Sequence, residues 1–479
     1  MLSDRASLAF ANPGSKSFDT IVVLANLYGR TFTVPDSKTS RVVVVGAGFG
    51  GLQAARELAR NSPRIRLTLI DRKNHHTFQP LLYQVATAGL SPGEIAAPIR
   101  WIVRDRSNVE VLLGEVHDFD LDRRMVKLHD FDVPYDYLIV AAGAGHSYFG
   151  HDEWEPLAPG LKTIEDALEI RRRVLLAFEL AERQAARGDG QVQLNFVVIG
   201  GGPTGVELAG TLAEIASRAL VTEFRTIDPK RTRIILLEGG PRILPAYADD
   251  LSSSAQKQLE KLGVEVHTST MVTGVEPACV ITGTTRIAAA VTLWAAGVAA
   301  SPLGKKLGAA VDRAGRVMVN SDLSLPGYPE VFVIGDLAAL KDADGNPIPG
   351  VAPAAMQQGS AAARNIERDL TGIPRQDFQY LNKGSLATIG RAAAVAQFKK
   401  LHISGYPAWL AWLFVHIFFL IGFRNRIIVL IQWAWAYITY ERGVRLITGD
   451  APLPGWPELL KEEQVGKESD TVISGTSAH

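Results

Sequence analysis

The strongest constraint on how this chain can fold is a pattern that occurs twice: an apolar run stopping on three glycines at fixed spacing. The first copy, "VVVVGAGFGGLQAARELAR", starts at Val42 and carries Gly46, Gly48 and Gly51. Its run is too continuously apolar for a half-exposed strand, so Arg41 to Val45 is expected to be a buried parallel strand. In GxGxxG between such a strand and a helix, Gly46 makes the tight turn, Gly48 admits a pyrophosphate to the backbone, and Gly51 lets the helix lie on the strand. The helix start then offers free N–H groups and partial positive charge to the phosphates. The next strand, "RLTLID", ends on Asp71, 20 residues after Gly51, where an acid is expected to accept ribose hydroxyls.

The second copy, "NFVVIGGGPTGVELAGTLAEIA", starts at Asn195 and has Gly200, Gly202 and Gly205 on the same spacing. Its acid is Glu238, at the end of "RIILLE" and 33 residues after Gly205. The extra length predicts a fingerprint helix that continues through "AEIASRALVTEFRTI". An acidic Glu238 bonds a free ribose diol and repels a 2′-phosphate, so the second site is expected to prefer NADH over NADPH. Two more apolar strands end on small residues: "YDYLIVAAGA" on Ala141, Ala142 and Gly143, and "YPEVFVIGDLAAL" on Gly335 and Asp336. Such ends let a cofactor approach the carboxyl edge of a sheet.

These residues resemble the flavoproteins with two dinucleotide-binding domains. The resemblance implies non-covalent FAD at the first fingerprint, Asp71, Ala142, Gly143 and the Gly335-Asp336 motif, with NADH at the second fingerprint and Glu238. It also implies an α/β fold of two Rossmann-like domains, the second inserted in the first. The expected organisation is an FAD domain over 41–155 and 305–395, an NADH domain over 156–304, C-terminal membrane-associating helices over 396–450, and a polar tail over 451–479. Residues 1–40 are expected to be a poorly ordered extension.

The single cysteine, Cys279, leaves no pair of thiols for a disulfide at the flavin, which argues against disulfide reductases and sulfide:quinone oxidoreductases. Cys279 itself is expected to be a small buried strand residue. Three further segments, "TFQPLLYQVATAGLSPGEIAAPIR", "GVAPAAMQQGSAAARNI" and "NKGSLATIGRAAAV", are similar to type II NADH:quinone dehydrogenases, and with the fingerprints the likeness spans about Arg41 to Gly449. It implies membrane-associated, non-proton-pumping transfer from NADH to FAD and on to a quinone of the ubiquinone or menaquinone type. Gln357, Gln358 and Lys383 are placed by it at the quinone head group, and Glu207 at the junction of NADH, flavin and quinone. Pro353 stands where family members often have Gln. No metal site is expected.

From Pro407 to Phe423 the chain reads "PAWLAWLFVHIFFLIGF", with His416 its only ionisable group; "RNR" and then "IIVLIQWAWAYITY" follow. A run of seventeen residues falls short of the ~20 a spanning helix needs, so two short helices dipping into one leaflet are expected. Trp409, Trp412, Trp433 and Trp435 would sit at headgroup level and Arg424 and Arg426 would face phosphates. A buried hairpin of the core, or a homodimer interface, is the competing expectation. Lys plus Arg and Asp plus Glu both number 50, so no net field draws the chain to nucleic acid. The N-terminus lacks a basic secretory pattern; with the C-terminal apolar segment, the expected location is the cytoplasmic face of the inner or plasma membrane, as a peripheral protein. Two other classes stay open: a soluble NADH-dependent flavoprotein reductase of another acceptor, and a redox-sensing protein that binds FAD and NADH.

Overall fold

The computed structural model describes residues 39–61, 64–439 and 442–461; the expected N-terminal extension and the tail beyond 461 lie outside them. Two parallel sheets organise the described chain. The first has six strands in the spatial order Ser324–Leu325, Tyr328–Val333, Tyr137–Val140, Ser40–Val45, Ile65–Asp71 and Val109–Leu113, parallel apart from the Ser324–Leu325 edge. The valine run pairs with Ile65–Asp71 on one side and Tyr137–Val140 on the other.

Alternation of the pleat sends Val42 and Val44 to one face and Val43 and Val45 to the other. Both faces are covered. Leu52 and Leu58 of the helix Phe49–Asn61, and Ala362 and Ile366 of the helix Ala352–Thr371, close the first. On the other face lie Phe119, Val126 and Val133 of a three-stranded antiparallel meander. A run without polar alternation is what a sheet buried on both sides requires.

The second sheet, lying between these segments in sequence, repeats the plan. Its order is Val264–His267, Arg233–Leu237, Asn195–Ile199 and Val291–Trp294, all parallel. Val197 and Ile199 pack against the meander of Gly274–Glu276, Cys279–Thr282 and Thr285–Ala288. Cys279 is buried there, as expected. Phe196 and Val198 face the helix Pro203–Glu214. The expected continuation of that helix is met only in part. The α-helix ends at Glu214, a π-type turn over Ile215–Ala219 follows it, and the rest of the extra length is a loop whose Arg225, Thr226 and Ile227 N–H groups all donate to the Glu182 carboxylate. Four backbone-to-carboxylate bonds hold that loop where helical bonds were expected.

A third, antiparallel sheet of Ser385–Gly390, Ala393–Phe398 and Leu401–Ser404 leads into two helices, Tyr406–Phe419 and Phe423–Thr439. A Cβ on Gly210 would lie 1.7 Å from the Ile389 carbonyl oxygen, so glycine is what lets the second fingerprint helix meet this sheet. Among the described residues no helix is long and apolar enough to cross a membrane. The expected tail boundary at 451 also shifts. Leu453, Trp456 and Leu459 are buried in the core around the second sheet, so a polar tail cannot begin before them.

Candidate active site

Each fingerprint folds as its glycines require, and the two copies match contact for contact. A Cβ on Gly46 would fall 2.3 Å from the Ala141 carbonyl oxygen, and one on Gly200 would fall 2.6 Å from Ala295 and Ala296. Both glycines hold positive φ, 98° and 108°. A Cβ on Gly51 would lie 1.8 Å from the Gly46 oxygen, and one on Gly205 would lie 1.8 Å from the Gly200 oxygen. In contrast, nothing lies within 4 Å of the Cβ position on either Gly48 or Gly202. The middle glycine of each loop therefore faces open space at a helix start. The second helix has Gly202 as its N-cap and no side chain capping its first turn, which leaves those N–H groups for an anion.

The two acids repeat the symmetry. Asp71 accepts from the Ala47 N–H at 2.6 Å and from Lys73 N–H at 2.7 Å. Glu238 accepts from Gly201 N–H at 2.6 Å and from Gly240 N–H at 2.6 Å. Each carboxylate is thus fastened to the residue after the first glycine, at the mouth of the cradle that its own loop forms. His76 holds the first loop from behind. Burial pushes its pKa down and keeps it neutral, so Nδ1 carries the proton donated to the Ala47 carbonyl at 2.8 Å. The sequence gives no sign of that histidine's place, because nothing in "NHHTF" separates it from its half-buried neighbour His75.

The carboxyl ends of Tyr137–Val140 and Tyr328–Val333 bring Ala142, Gly143, Gly335 and Asp336 to the same edge as the first fingerprint. Gln358, expected beside an electron acceptor, is buried, and its Oε1 accepts from the Gly335 N–H at 2.6 Å. It holds the Gly-Asp turn to the helix Ala352–Thr371, which in turn crosses the first fingerprint helix so closely that a Cβ on Gly359 would sit 2.2 Å from the Gly50 oxygen. The structure thus gives Gln358 a structural partner that the sequence does not announce. The helical period shows it in hindsight, since Gln358 shares a face with Ala354, Ala355, Ala362 and Asn365, all buried.

Gln357 faces the other way, into a cleft of about 700 Å³ that Lys383 also lines, with Pro353, Met356, Arg364 and Phe419. Its amide bonds the backbone of Leu381 in both directions, at 3.0 and 2.9 Å, and so fixes the loop that presents exposed Lys383. Glu207 does not line that cleft. It projects from the second fingerprint helix toward the strand Ser385–Gly390, and burial pushes its pKa up to about 8, with the Thr388 backbone N–H pulling slightly the other way. The buried hydroxyls of Tyr83 and Tyr247 feel the same carboxylate and have raised pKa values, burial being the larger cause in both. Tyr83 opens on a second, smaller cavity of about 120 Å³ walled by Trp409, Trp412, Trp433, Tyr437 and Arg442.

The C-terminal helices have two unlike faces. Ala408, Trp412, Leu420 and Val429 are buried against the body. Phe414, Phe418, Phe423, Ile431, Trp435 and Ile438 are exposed, Phe423 to 79 %. The expected headgroup role of the tryptophans does not hold for all four. Trp412 is buried and stacks on His416, and Trp433 is half-buried against the core and donates to Gln84 at 2.7 Å. Burial pushes His416 down to about 4, leaving it neutral, with Nδ1 against the Trp412 carbonyl. Arg426 donates to Leu420 O at 2.7 Å, closing the first helix.

Residues 40–359 match the family described as pyridine nucleotide-disulphide oxidoreductase, which defines the class. Residues 382–439 match the NDH2 C-terminal domain. The chain is 48% identical over 442 residues to the type II NADH:quinone oxidoreductase NdhA of Mycobacterium tuberculosis, covering 88% of this chain and 93% of the relative. It is 46% identical over 463 residues to Ndh of the same organism, covering 92% and 98%. The chain belongs to the type II NADH:quinone oxidoreductase family. The fold is also that of NDH2 from Plasmodium falciparum, solved in complex with NADH, at a TM-score of 0.75 and 20% identity over 86% of this chain and all of the other. The sulfide:quinone oxidoreductase of Aquifex aeolicus shares it at 0.66 and 20% identity, covering 81% and 92%.

Proposed function

We infer that this chain oxidises NADH and reduces a membrane quinone, with FAD held non-covalently at the first fingerprint and NADH at the second. The observation that carries the reading is the duplicated cradle: open space before Gly48 and Gly202, close packing at the other two glycines, and an acid fastened at each mouth. The first cradle fits FAD, because a dinucleotide needs backbone approach at one end and small residues at the other, and Gly143 has no neighbour within 4 Å of its Cβ position. When bound, FAD supplies a two-electron carrier between NADH and quinone.

The protein's part is placement and proton supply. Gly46, Gly48 and Gly51 take the FAD pyrophosphate, Asp71 the ribose, and Ala142, Gly143, Gly335 and Asp336 the flavin end. Gly200, Gly202, Gly205 and Glu238 take NADH, Glu238 disfavouring a 2′-phosphate. This division supports an FAD domain over 41–155 and 305–395 and an NADH domain over 156–304, since the six-stranded sheet draws strands from both outer segments and the four-stranded sheet from the inner one. On the acceptor side Gln357 and Lys383 share a cleft that reaches Phe419, at the edge of the exposed apolar face. Lys383 orients or protonates the reduced quinone oxygen. Glu207, neutral below about pH 8 and outside that cleft, faces the strand Ser385–Gly390 from the NADH side and is a proton donor at the junction of the two sites. Gln358 belongs to this group through the turn it holds.

The apolar face of two short helices supports peripheral attachment to a membrane, and the same face can seat a second copy of the chain; the side bound is taken to be the cytoplasmic one. The test is NADH oxidation by the purified, FAD-containing chain with ubiquinone and menaquinone analogues side by side. Quinone-dependent turnover with NADH well above that with NADPH is expected. Turnover indifferent to quinone, or equal efficiency with both nucleotides, overturns the reading.

A further inference from the structure

We propose that Phe149 is the aromatic cover of the nicotinamide half of bound NADH. The proposal rests on the assignment of NADH to the second fingerprint.

The four-stranded sheet fixes where a dinucleotide can lie. In chain order its strands run third, second, first, fourth, so the connectivity reverses between Asn195–Ile199 and Val291–Trp294. A ligand of such a sheet sits outside the carboxyl ends of the strands at that reversal. Glu238, just past Arg233–Leu237, marks the adenosine side. The segment 295–297, just past Val291–Trp294, marks the opposite side, and its first two residues already touch Gly200 of the cradle. Gly297 is the next residue, and a Cβ there would fall 2.6 Å from Phe149 Cζ. The Phe149 ring thus lies directly on the nicotinamide-side wall.

Its backbone is held there on both sides. Ser147 N–H donates to the Gly297 carbonyl at 3.2 Å, and the Ser147 carbonyl accepts from Trp294 Nε1 at 2.9 Å. Tyr148 is buried and stacks on Trp294 at 5.0 Å. Between these anchors and Gly150, Phe149 adopts φ 55°, a left-handed conformation unfavourable for a bulky side chain. The ring gains little within the chain for this strain: it meets Trp294 at a tilted 6.2 Å and stays 67 % exposed. A strained residue whose large apolar ring is left open at a ligand edge is placed for a partner outside the chain. The partner that fits is a planar heteroaromatic ring, stacked on or met edge-on. The strand pair Ala144–His146 with Val298–Ala300 runs from Gly143 to this wall, so the covered ring lies toward the flavin end of the first cradle.

The test measures binding to the oxidised, FAD-loaded full-length chain by calorimetry, with NAD⁺ and with ADP-ribose, which lacks the nicotinamide. Phe149→Ala should raise the Kd for NAD⁺ by about three- to tenfold, the span of one aromatic contact, while changing that for ADP-ribose by less than about twofold. Phe149→Tyr should bind NAD⁺ as the native chain does, and Phe149→Leu should resemble Ala. If Phe149→Ala loses FAD, the Tyr and Leu variants carry the comparison. An unchanged Kd for NAD⁺, equal weakening of both ligands, or a change of oligomeric mass with NAD⁺ binding intact overturns the proposal. Glu238→Ala separates the underlying reading: it should weaken both ligands, and if it weakens neither, the NADH assignment of the second fingerprint falls, and this proposal with it.

Discussion

Glu207→Gln should make the fold less sensitive to alkaline pH. Glu207 keeps its proton to about pH 8 instead of the usual 4.5, because burial penalises the anion. Between those values the native state binds more protons than the unfolded chain, so this group's contribution to stability falls as pH rises and levels off above about 8. Multiplying the separation by 1.36 kcal/mol per decade gives a penalty of at most about 5 kcal/mol on the alkaline side. Between pH 5.5 and 8.5 the penalty grows by up to about 3 kcal/mol, and residual solvent contact brings the expectation to roughly 1.5–3 kcal/mol. Glutamine keeps the neutral shape and cannot ionise. The assay is the thermal midpoint of the FAD-loaded native and variant proteins at matched scan rate across that range. The variant should gain on the native protein by roughly 1.5–3 °C from pH 5.5 to 8.5. Parallel curves would refute the claim that Glu207 is protonated at neutral pH.

Three further outcomes follow from the same geometry. Gly202→Ala should keep the melting midpoint and lose NADH affinity at least tenfold, since its Cβ enters only the open cradle, whereas Gly205→Ala should fail to fold, its Cβ falling 1.8 Å from the Gly200 oxygen; thermal melts and NADH titrations separate the two. Gln358→Ala removes the acceptor of the Gly335 N–H and should lower retained FAD, measured as the flavin-to-protein absorbance ratio after dialysis, by several-fold. Phe414→Glu with Ile431→Glu should abolish sedimentation with phospholipid vesicles and leave NADH reduction of the bound flavin intact, because both side chains are exposed on the apolar face and neither lines the cleft.

What could be read from the sequence was whatever is local. The glycine roles depend on a strand, a turn and the first helical turn, all within ten residues, and Gly46 to Gly51 and Gly200 to Gly205 behave as that arithmetic requires. The acids were locatable by strand length, but their bonds to Ala47 and Gly201 were not, since those need the loop and the second strand side by side. The C-terminal run shows a different limit. Its hydropathy is nearly uniform, so nothing in "AWLFVHIFFL" says that Trp412 turns inward and Phe414 outward; that is decided by the third sheet and by Phe78, whose ring meets His416 edge-on. Phe149 carries no sequence signal at all, because its position follows from Gly297, some 150 residues away. The second fingerprint helix stops short of its expected length for a related reason: Glu182, on a separate helix, captures the loop that follows.

NADH and quinone, on this reading, are served by separate groups, the second cradle on one side and the Gln357–Lys383 cleft on the other. Stopped-flow measurement of both half-reactions of Lys383→Ala tests that separation most directly. Bleaching of the bound flavin by NADH should proceed at nearly the native rate, and its reoxidation by quinone should slow by roughly ten- to a thousandfold, the span expected for one positioned proton donor. Equal slowing of both half-reactions, or of neither, would contradict it.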